Sequence, residues 1–255
     1  MTPAPSAQVR RAEHPGLVVE LAGIPGSGKS RRVRALADGL TARGIVVRTP
    51  QAPLGPSTPR GLRLARKAAA CGAAAVGSPA TTTRILRAVH RSGQSGPADL
   101  AGRTVQWLVA QHVTSAGQGR QGVSLVDEGL IQCLWSIGLR GDVEPVLSAI
   151  AASRRVHAPD MVVVTRVPPE LAAERLTARS SRHSRTQLLP EADRLAELQR
   201  GDRLLGHLVD WWSRTVPTPV YTIPGTDDDA ADRELLLSRI CTSLNSRRRS
   251  GGGAA

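Results

Sequence analysis

A chain of 255 residues with 40% apolar side chains is long enough to bury the core of one large α/β domain. Phe is absent and aromatic residues make up 2%, which excludes a core built on rings and leaves Leu, Val, Ile and Ala to form it. The formal net charge of +13, with no apolar run long enough to span a bilayer, excludes a membrane-embedded chain and favours polyanionic partners.

In chain order, residues 1–15 carry Pro, Ser and Arg without an apolar stretch, and are expected to be a disordered segment with no signal peptide. Residues 17–22 (LVVELA) read as a buried strand ending at Gly23. Val33, Leu36, Ala37 and Leu40 recur at helical spacing, so 30–43 reads as a helix stopped by Gly44. Residues 45–47 are a second strand, and Pro and Gly break the pattern over 50–59. Helices are expected near 60–75, 80–92 and 98–115, followed by a third strand at 123–126 that ends on Asp127 and Glu128. A helix over 142–153 leads to a fourth strand at 161–164, and Pro168 and Pro169 open a helix through Arg179. A polar break over 180–184, a long helix over 191–212, a fifth strand at 220–223 and a helix over 230–244 complete the domain. Residues 246–255, with three consecutive Arg and three consecutive Gly, read as a disordered basic tail. Short apolar strands alternating with helices predict a parallel sheet covered on both faces in one domain, 16–245.

Cys71, Cys133 and Cys241 have neither metal-ligand spacing nor an even count, so reduced thiols in a cytoplasm are expected. The excess charge is clustered. Between residues 54 and 110 eight basic residues face Asp99 as the only acid, and Arg175, Arg179, Arg182 and Arg185 form a second group.

The strongest signal is Gly23-Ile24-Pro25-Gly26-Ser27-Gly28-Lys29-Ser30, a full match to G-x-x-x-x-G-K-[ST] between a strand and a helix. Glycines let the backbone wrap phosphate oxygens, and the helix start adds its positive end. Lys29 is expected on the β- and γ-phosphates, and Ser30 on Mg²⁺. Asp127, at the end of the third strand, is a second Mg²⁺-side group, and Glu128 is a candidate general base. The competing reading of that pair is a cap for the next helix. Arg175 and Arg179, spaced one helical turn apart, are expected to point the same way and, with Arg182 and Arg185, to close over a triphosphate. A solvated face paired with Glu170 and Glu174 is the alternative.

Together, the glycine-rich motif, the Asp127-Glu128-Gly129 run and the Glu174-Arg175-x-x-x-Arg179 run resemble the P-loop nucleoside and nucleotide kinase family, nearest to thymidylate-kinase-like proteins. The resemblance covers roughly residues 17–244, and the glycine-rich motif is its specific part. It implies a three-layer fold with sheet order 2-3-1-4-5 and ATP with Mg²⁺ as cofactors. It also implies acceptor-binding helices over about 54–115 and an Arg-rich lid over about 175–190. On that likeness Arg175 stacks on adenine, Arg179 touches the donor phosphates and Arg185 joins them. Thymidylate kinases usually carry Asp-Arg after the third strand where this chain has Asp127-Glu128, so thymidylate is not carried over as acceptor.

The implied activity is transfer of the γ-phosphoryl group to a nucleotide, a nucleoside or a related small molecule, most simply an anionic one. Arg60, Arg63, Arg66 and Lys67 form a candidate cationic stripe for it, and Trp107 with Gln111 a candidate base-reading face. A P-loop ATPase acting as a switch or on nucleic acid is the second reading, and a homodimer is left open. A GTPase base-reading motif is absent, since neither lysine stands in the required setting, and residues 91–96 match a transporter-ATPase signature poorly.

Overall fold

The computed structural model describes residues 16–54, 58–153, 155–179, 185–225 and 230–252. The elements run β1 (Leu17–Ala22), α1 (Lys29–Thr41), β2 (Val47–Arg48), α2 (Arg60–Gly77), α3 (Pro79–Arg91), α4 (Pro97–Gln118) and β3 (Val123–Val126). They continue with α5 (Leu130–Gly138), α6 (Glu144–Ala151), β4 (Met161–Arg166), α7 (Pro169–Ala178), α8 (Glu191–Thr215), β5 (Val220–Pro224) and α9 (Ala230–Gly252). Short 3₁₀ turns occupy Ala52–Leu54 and Arg185–Leu188. The five strands form one all-parallel sheet in the order β2-β3-β1-β4-β5, as expected.

Period-two alternation sorts β1, β3 and β4 between the two faces of the sheet, one of which carries a small separate cluster of Val18 and Val126 with Ala70, Val109 and Val113. Leu17, Val19 and Leu21 of β1, with Leu125, Met161 and Val163, pack under Leu36 and Leu40 of α1 and Leu236 and Ile240 of α9. Ala22, Val162 and Val164 point the other way, into a larger, mainly aliphatic core filled by α3 to α8, in which Trp107 and Trp212 are the largest fully buried side chains. Trp212 lies fully buried in that core with Trp211 packed against it, and the pair anchors α8 there.

The structure corrects several local expectations. β2 holds two residues, Val47–Arg48, displaced from the expected 45–47. Ile45 is spent closing α1, its N–H donating to Leu40 O at 3.1 Å, so pairing with β3 starts only at Val47. α5 was not anticipated: LIQCLWSIG is apolar almost all round, and a helix buried on every side has no polar face to display its period. α7 stops at Ala178, and Arg179 is extended (φ −79°, ψ 126°). Arg175 and Arg179 therefore do not share one helical face. α9 runs past the expected start of the tail to Gly252. The N-terminal segment 1–15 and residues 253–255 lie outside the described residues. Among the described residues no helix is long and apolar enough to cross a membrane.

At the N-terminal edge of the sheet the Asp160 carboxylate accepts hydrogen bonds from Val18 N (2.8 Å), Gln118 Nε2 (3.1 Å) and Arg247 Nη2. Arg247 also donates to Gly16 O at 2.9 Å, which ties the end of α9 beneath the strands.

Candidate functional site

β1 and β3 are neighbours with Glu20 opposite Val126, so the chain leaves both strands at adjacent points on the C-terminal edge of the sheet. From β1 it enters the glycine-rich turn, and from β3 it enters Asp127-Glu128-Gly129. The connections diverge there, α1 leading to β2 and α5 with α6 leading to β4. Such a switch point opens a crevice in an α/β sheet.

The turn is built on backbone that only glycine adopts without strain: Gly26 has φ 84° and Gly28 φ 89°. Gly28 caps α1 without any side-chain hydrogen bond, and no acidic residue stands in the first helical turn, so the positive end of α1 faces the crevice uncompensated. Lys29 folds back across the turn, its Nζ donating to Gly23 O (2.6 Å) and Ile24 O (3.1 Å). Burial pulls its pKa down to about 8, against the opposing pull of the Asp127 and Glu128 carboxylates, and the Arg179 charge lowers it further. Ser30 Oγ donates to Asp127 Oδ2 at 3.5 Å, the outer limit of a hydrogen bond.

Two residues that the sequence reading passed over hold the acidic segment in place. Gln51 grips the Asp127-Glu128 backbone from both sides, its Oε1 accepting from Asp127 N (3.2 Å) and its Nε2 donating to Glu128 O (3.0 Å). Glu20, in the middle of β1, is 1% exposed, and its carboxyl accepts from Leu130 N (2.8 Å) and Gln132 N (3.1 Å). It thereby caps α5, whose own N-cap residue is Gly129. A Cβ at Gly129 would stand 2.3 Å from Glu20 Cδ, so glycine is required for the carboxyl to reach the helix start. Burial outweighs the lowering effect of the backbone N–H groups of Gln132, Leu130 and Ile131 and pushes the Glu20 pKa up to about 7. The signal was present in the sequence: a charged residue inside an otherwise apolar buried strand needs a partner.

Beyond Asp127 a cleft of about 950 Å³ opens between α1, the loop after β2, α2 and α4. Glu128 projects into it and is accessible through it, although enclosing protein and the Asp127 charge raise its pKa against the pull of Lys67, Lys29 and Arg103. Lys67 and Arg103 line the same cleft, as do Gln51 and Gln106, and Gln106 Oε1 accepts from Arg103 Nη1 at 2.7 Å. Of the expected cationic stripe only Lys67 reaches the cleft lining; Arg60 and Arg66 are exposed on α2.

The structure thus brings Lys29, Ser30, Asp127 and Glu128 together, with Arg179 near enough for its charge to bear on Lys29. Arg175 sits on the other flank of the turn and donates to Gly225 O at 2.7 Å, after β5. Arg182 lies outside the described residues, and Arg185 opens the 3₁₀ turn Arg185–Leu188. The base-reading expectation for Trp107 and Gln111 is overturned. Trp107 is 1% exposed in the core, and Gln111 is occupied by the His157 backbone, donating to its O (3.3 Å) and accepting from its N (3.1 Å).

Among the described residues no three His, Cys, Asp or Glu side chains gather into a metal cage. Ser30 and Asp127 offer one hydroxyl and one carboxylate, a donor set that suits Mg²⁺ when the remaining ligands are water and phosphate oxygens. The chain matches no family model and no curated protein, so its function is argued from these residues alone.

Proposed function

We propose that this protein is a P-loop kinase that transfers the γ-phosphoryl group of ATP, with Mg²⁺, to a small molecule held in the cleft. The observation that carries this reading is the convergence of four features on one crevice. They are the glycine-rich turn, the Lys29 ammonium, the Ser30–Asp127 pair at 3.5 Å and a carboxyl, Glu128, facing a cleft large enough for a second substrate.

In this reading the backbone N–H groups that the glycine-rich turn leaves open, Pro25 having none, and the start of α1 hold the phosphates. Lys29 leaves the Gly23 and Ile24 carbonyls for the β- and γ-phosphate oxygens and regains its full charge beside a polyanion. Ser30 and Asp127 hold Mg²⁺, which screens the phosphate charge. Glu128 takes the proton from the acceptor hydroxyl, and burial, which raises its pKa, makes it a stronger base than an ordinary carboxylate. Arg179, with Arg185, neutralises the charge that grows on the transferred group, and Arg175 flanks the nucleotide. Free Cys71, Cys133 and Cys241 fit a reducing cytoplasm as the setting.

The test is transfer of label from γ-labelled ATP to a panel of small alcohols, sugars, nucleosides and nucleotides. A labelled small product that requires Mg²⁺ supports the kinase. ATP turnover that rises only with DNA or RNA, with no labelled product, would move the assignment to a nucleic-acid-associated ATPase, the class that the net charge of +13 keeps in view.

A further inference from the structure

The lining of the cleft identifies what kind of molecule it accepts. Proteins that hold a nucleobase commonly stack it on an aromatic ring. The chain has four Trp and one Tyr and no Phe, and all five are placed away from the cleft. Trp107 and Trp212 are in the core, and Trp211 packs against Trp212 with ring centroids 6.3 Å apart. Trp135 is 6% exposed and donates its indole N–H to Gly201 O at 2.7 Å, and Tyr221 sits in β5 beneath Arg239. None is free to turn into the cleft without emptying the core or leaving the sheet.

What lines the cleft instead is branched aliphatic: Val33, Leu54, Leu64, Val105 and Val109. Leu64 is 57% exposed there, a large apolar side chain that a bound molecule would cover. Lys67 stands one helical turn further along α2 and lines the same cleft. Among the described residues its ammonium makes no hydrogen bond or ion pair, and its charge bears on Glu128. With Arg103 on α4 and Arg34 on α1 in the same lining, the cleft pairs cations with an aliphatic floor and two carboxyls, Asp127 at the phosphate side and Glu128 beside it.

On the basis of the kinase reading above, we propose that the acceptor is an aliphatic alcohol bearing a carboxylate or phosphate, and not a nucleoside or nucleotide. Its anionic group pairs with Lys67 and Arg103, its alkyl body covers Leu64 and the valines, and its hydroxyl meets Glu128. In the transfer, the acceptor O–H proton passes to the Glu128 carboxylate as the oxygen forms a bond to the γ-phosphorus. The bond from that phosphorus to the β,γ-bridging oxygen breaks, and its electron pair leaves with ADP.

The experiment uses the full chain, γ-labelled ATP and three sets of acceptors: hydroxyalkyl carboxylates and phosphates, neutral alcohols of matched length, and nucleosides with their monophosphates. Label is expected on the anionic alcohols, with neutral alcohols at least about 10-fold poorer in kcat/KM, the worth of one charge-assisted contact. Lys67→Ala should raise KM for the anionic alcohol about 10-fold or more, leave KM for ATP within about 2-fold and erase the advantage over the neutral alcohol. Label on nucleosides or their monophosphates alone overturns the acceptor class while the kinase reading stands. Mg²⁺-dependent hydrolysis of ATP to ADP with no labelled member of any set overturns the acceptor class as well. Turnover only with DNA or RNA overturns both.

Discussion

The two ends of the sheet each gather carboxylates and cations, and they treat them differently. At the N-terminal edge the Asp160 side chain is 6% exposed and takes three donors, Val18 N, Gln118 Nε2 and Arg247. At the C-terminal edge Asp127 has the long 3.5 Å contact to Ser30, and among the described residues the Glu128 carboxylate accepts no hydrogen bond. Among the described residues the Lys29 ammonium donates only to two carbonyls of its own turn. Buried polar groups that find partners hold a fold together; those left short of partners at a crevice have capacity for a ligand. Asp160 is a clasp, whereas Asp127, Glu128 and Lys29 keep the spare capacity that the proposed site needs.

Substitutions at the two ends should therefore separate activity from stability. The largest effect is expected for Lys29→Ala, which removes the cation of the glycine-rich turn. ATP turnover should fall about 1,000-fold, about 4 kcal/mol of transition-state stabilisation, while the unfolding midpoint stays near that of the parent protein. A folded variant with full turnover would sink the assignment of this turn to the phosphates.

Next comes the pH dependence set by Glu20. Its pKa in the folded chain is about 7 against an ordinary 4.5, so the folded state holds this proton more tightly than the unfolded state does. Stability should fall as pH climbs from about 4.5 to about 7 and then level off, by about 3 kcal/mol from this group alone. Denaturant unfolding of the parent and of Glu20→Gln at pH 5 and pH 7.5 checks this, because the substitution should remove that share of the slope. Identical slopes would mean that Glu20 stays ionised throughout and is as well satisfied as Asp160.

Glu128→Gln should lower kcat about 100-fold, roughly 2.7 kcal/mol, with KM for ATP nearly unchanged, whereas Asp127→Asn should instead raise the Mg²⁺ concentration needed for half-maximal rate. A Glu128 variant whose defect is cured by added Mg²⁺ would exchange the roles of the two acids. The smallest effect belongs to the clasp. Asp160→Asn keeps the shape but loses the charge assistance to Arg247, so about 1–2 kcal/mol of stability should go and the melting temperature should drop a few degrees. Its kcat per folded molecule should match the parent protein, and a loss of activity without a loss of stability would abolish the contrast between the two ends.

Much of this was legible in the sequence because it is local. An apolar run ending in Gly23 and followed by Gly26, Gly28 and Lys29 specifies a strand, a left-handed turn and a helix start within about fourteen residues. The parallel sheet and its expected order agree with the structure, and the regular helices α1 to α4 and α8 lie within a few residues of their predicted spans. Asp127 and Glu128 could be placed beside the turn because both follow strand ends.

What required the tertiary structure is everything that depends on contact between distant segments. α5 shows no period because it is surrounded by other elements, and only packing reveals that. Glu20 reaches Leu130 across 110 positions and Gln51 reaches Asp127 across 76, and no spacing rule links such residues. Trp107 and Gln111 share a helical face as expected, but the sequence could not say that this face turns inward to the core and His157. The likeness pointed to the helices over about 54–115 as the acceptor region, but the cleft itself is a space between α1, α2 and α4, and its lining is set only by their packing. Periodicity assigns a side chain to a face of its own element; which neighbour that face meets is decided only when the elements pack.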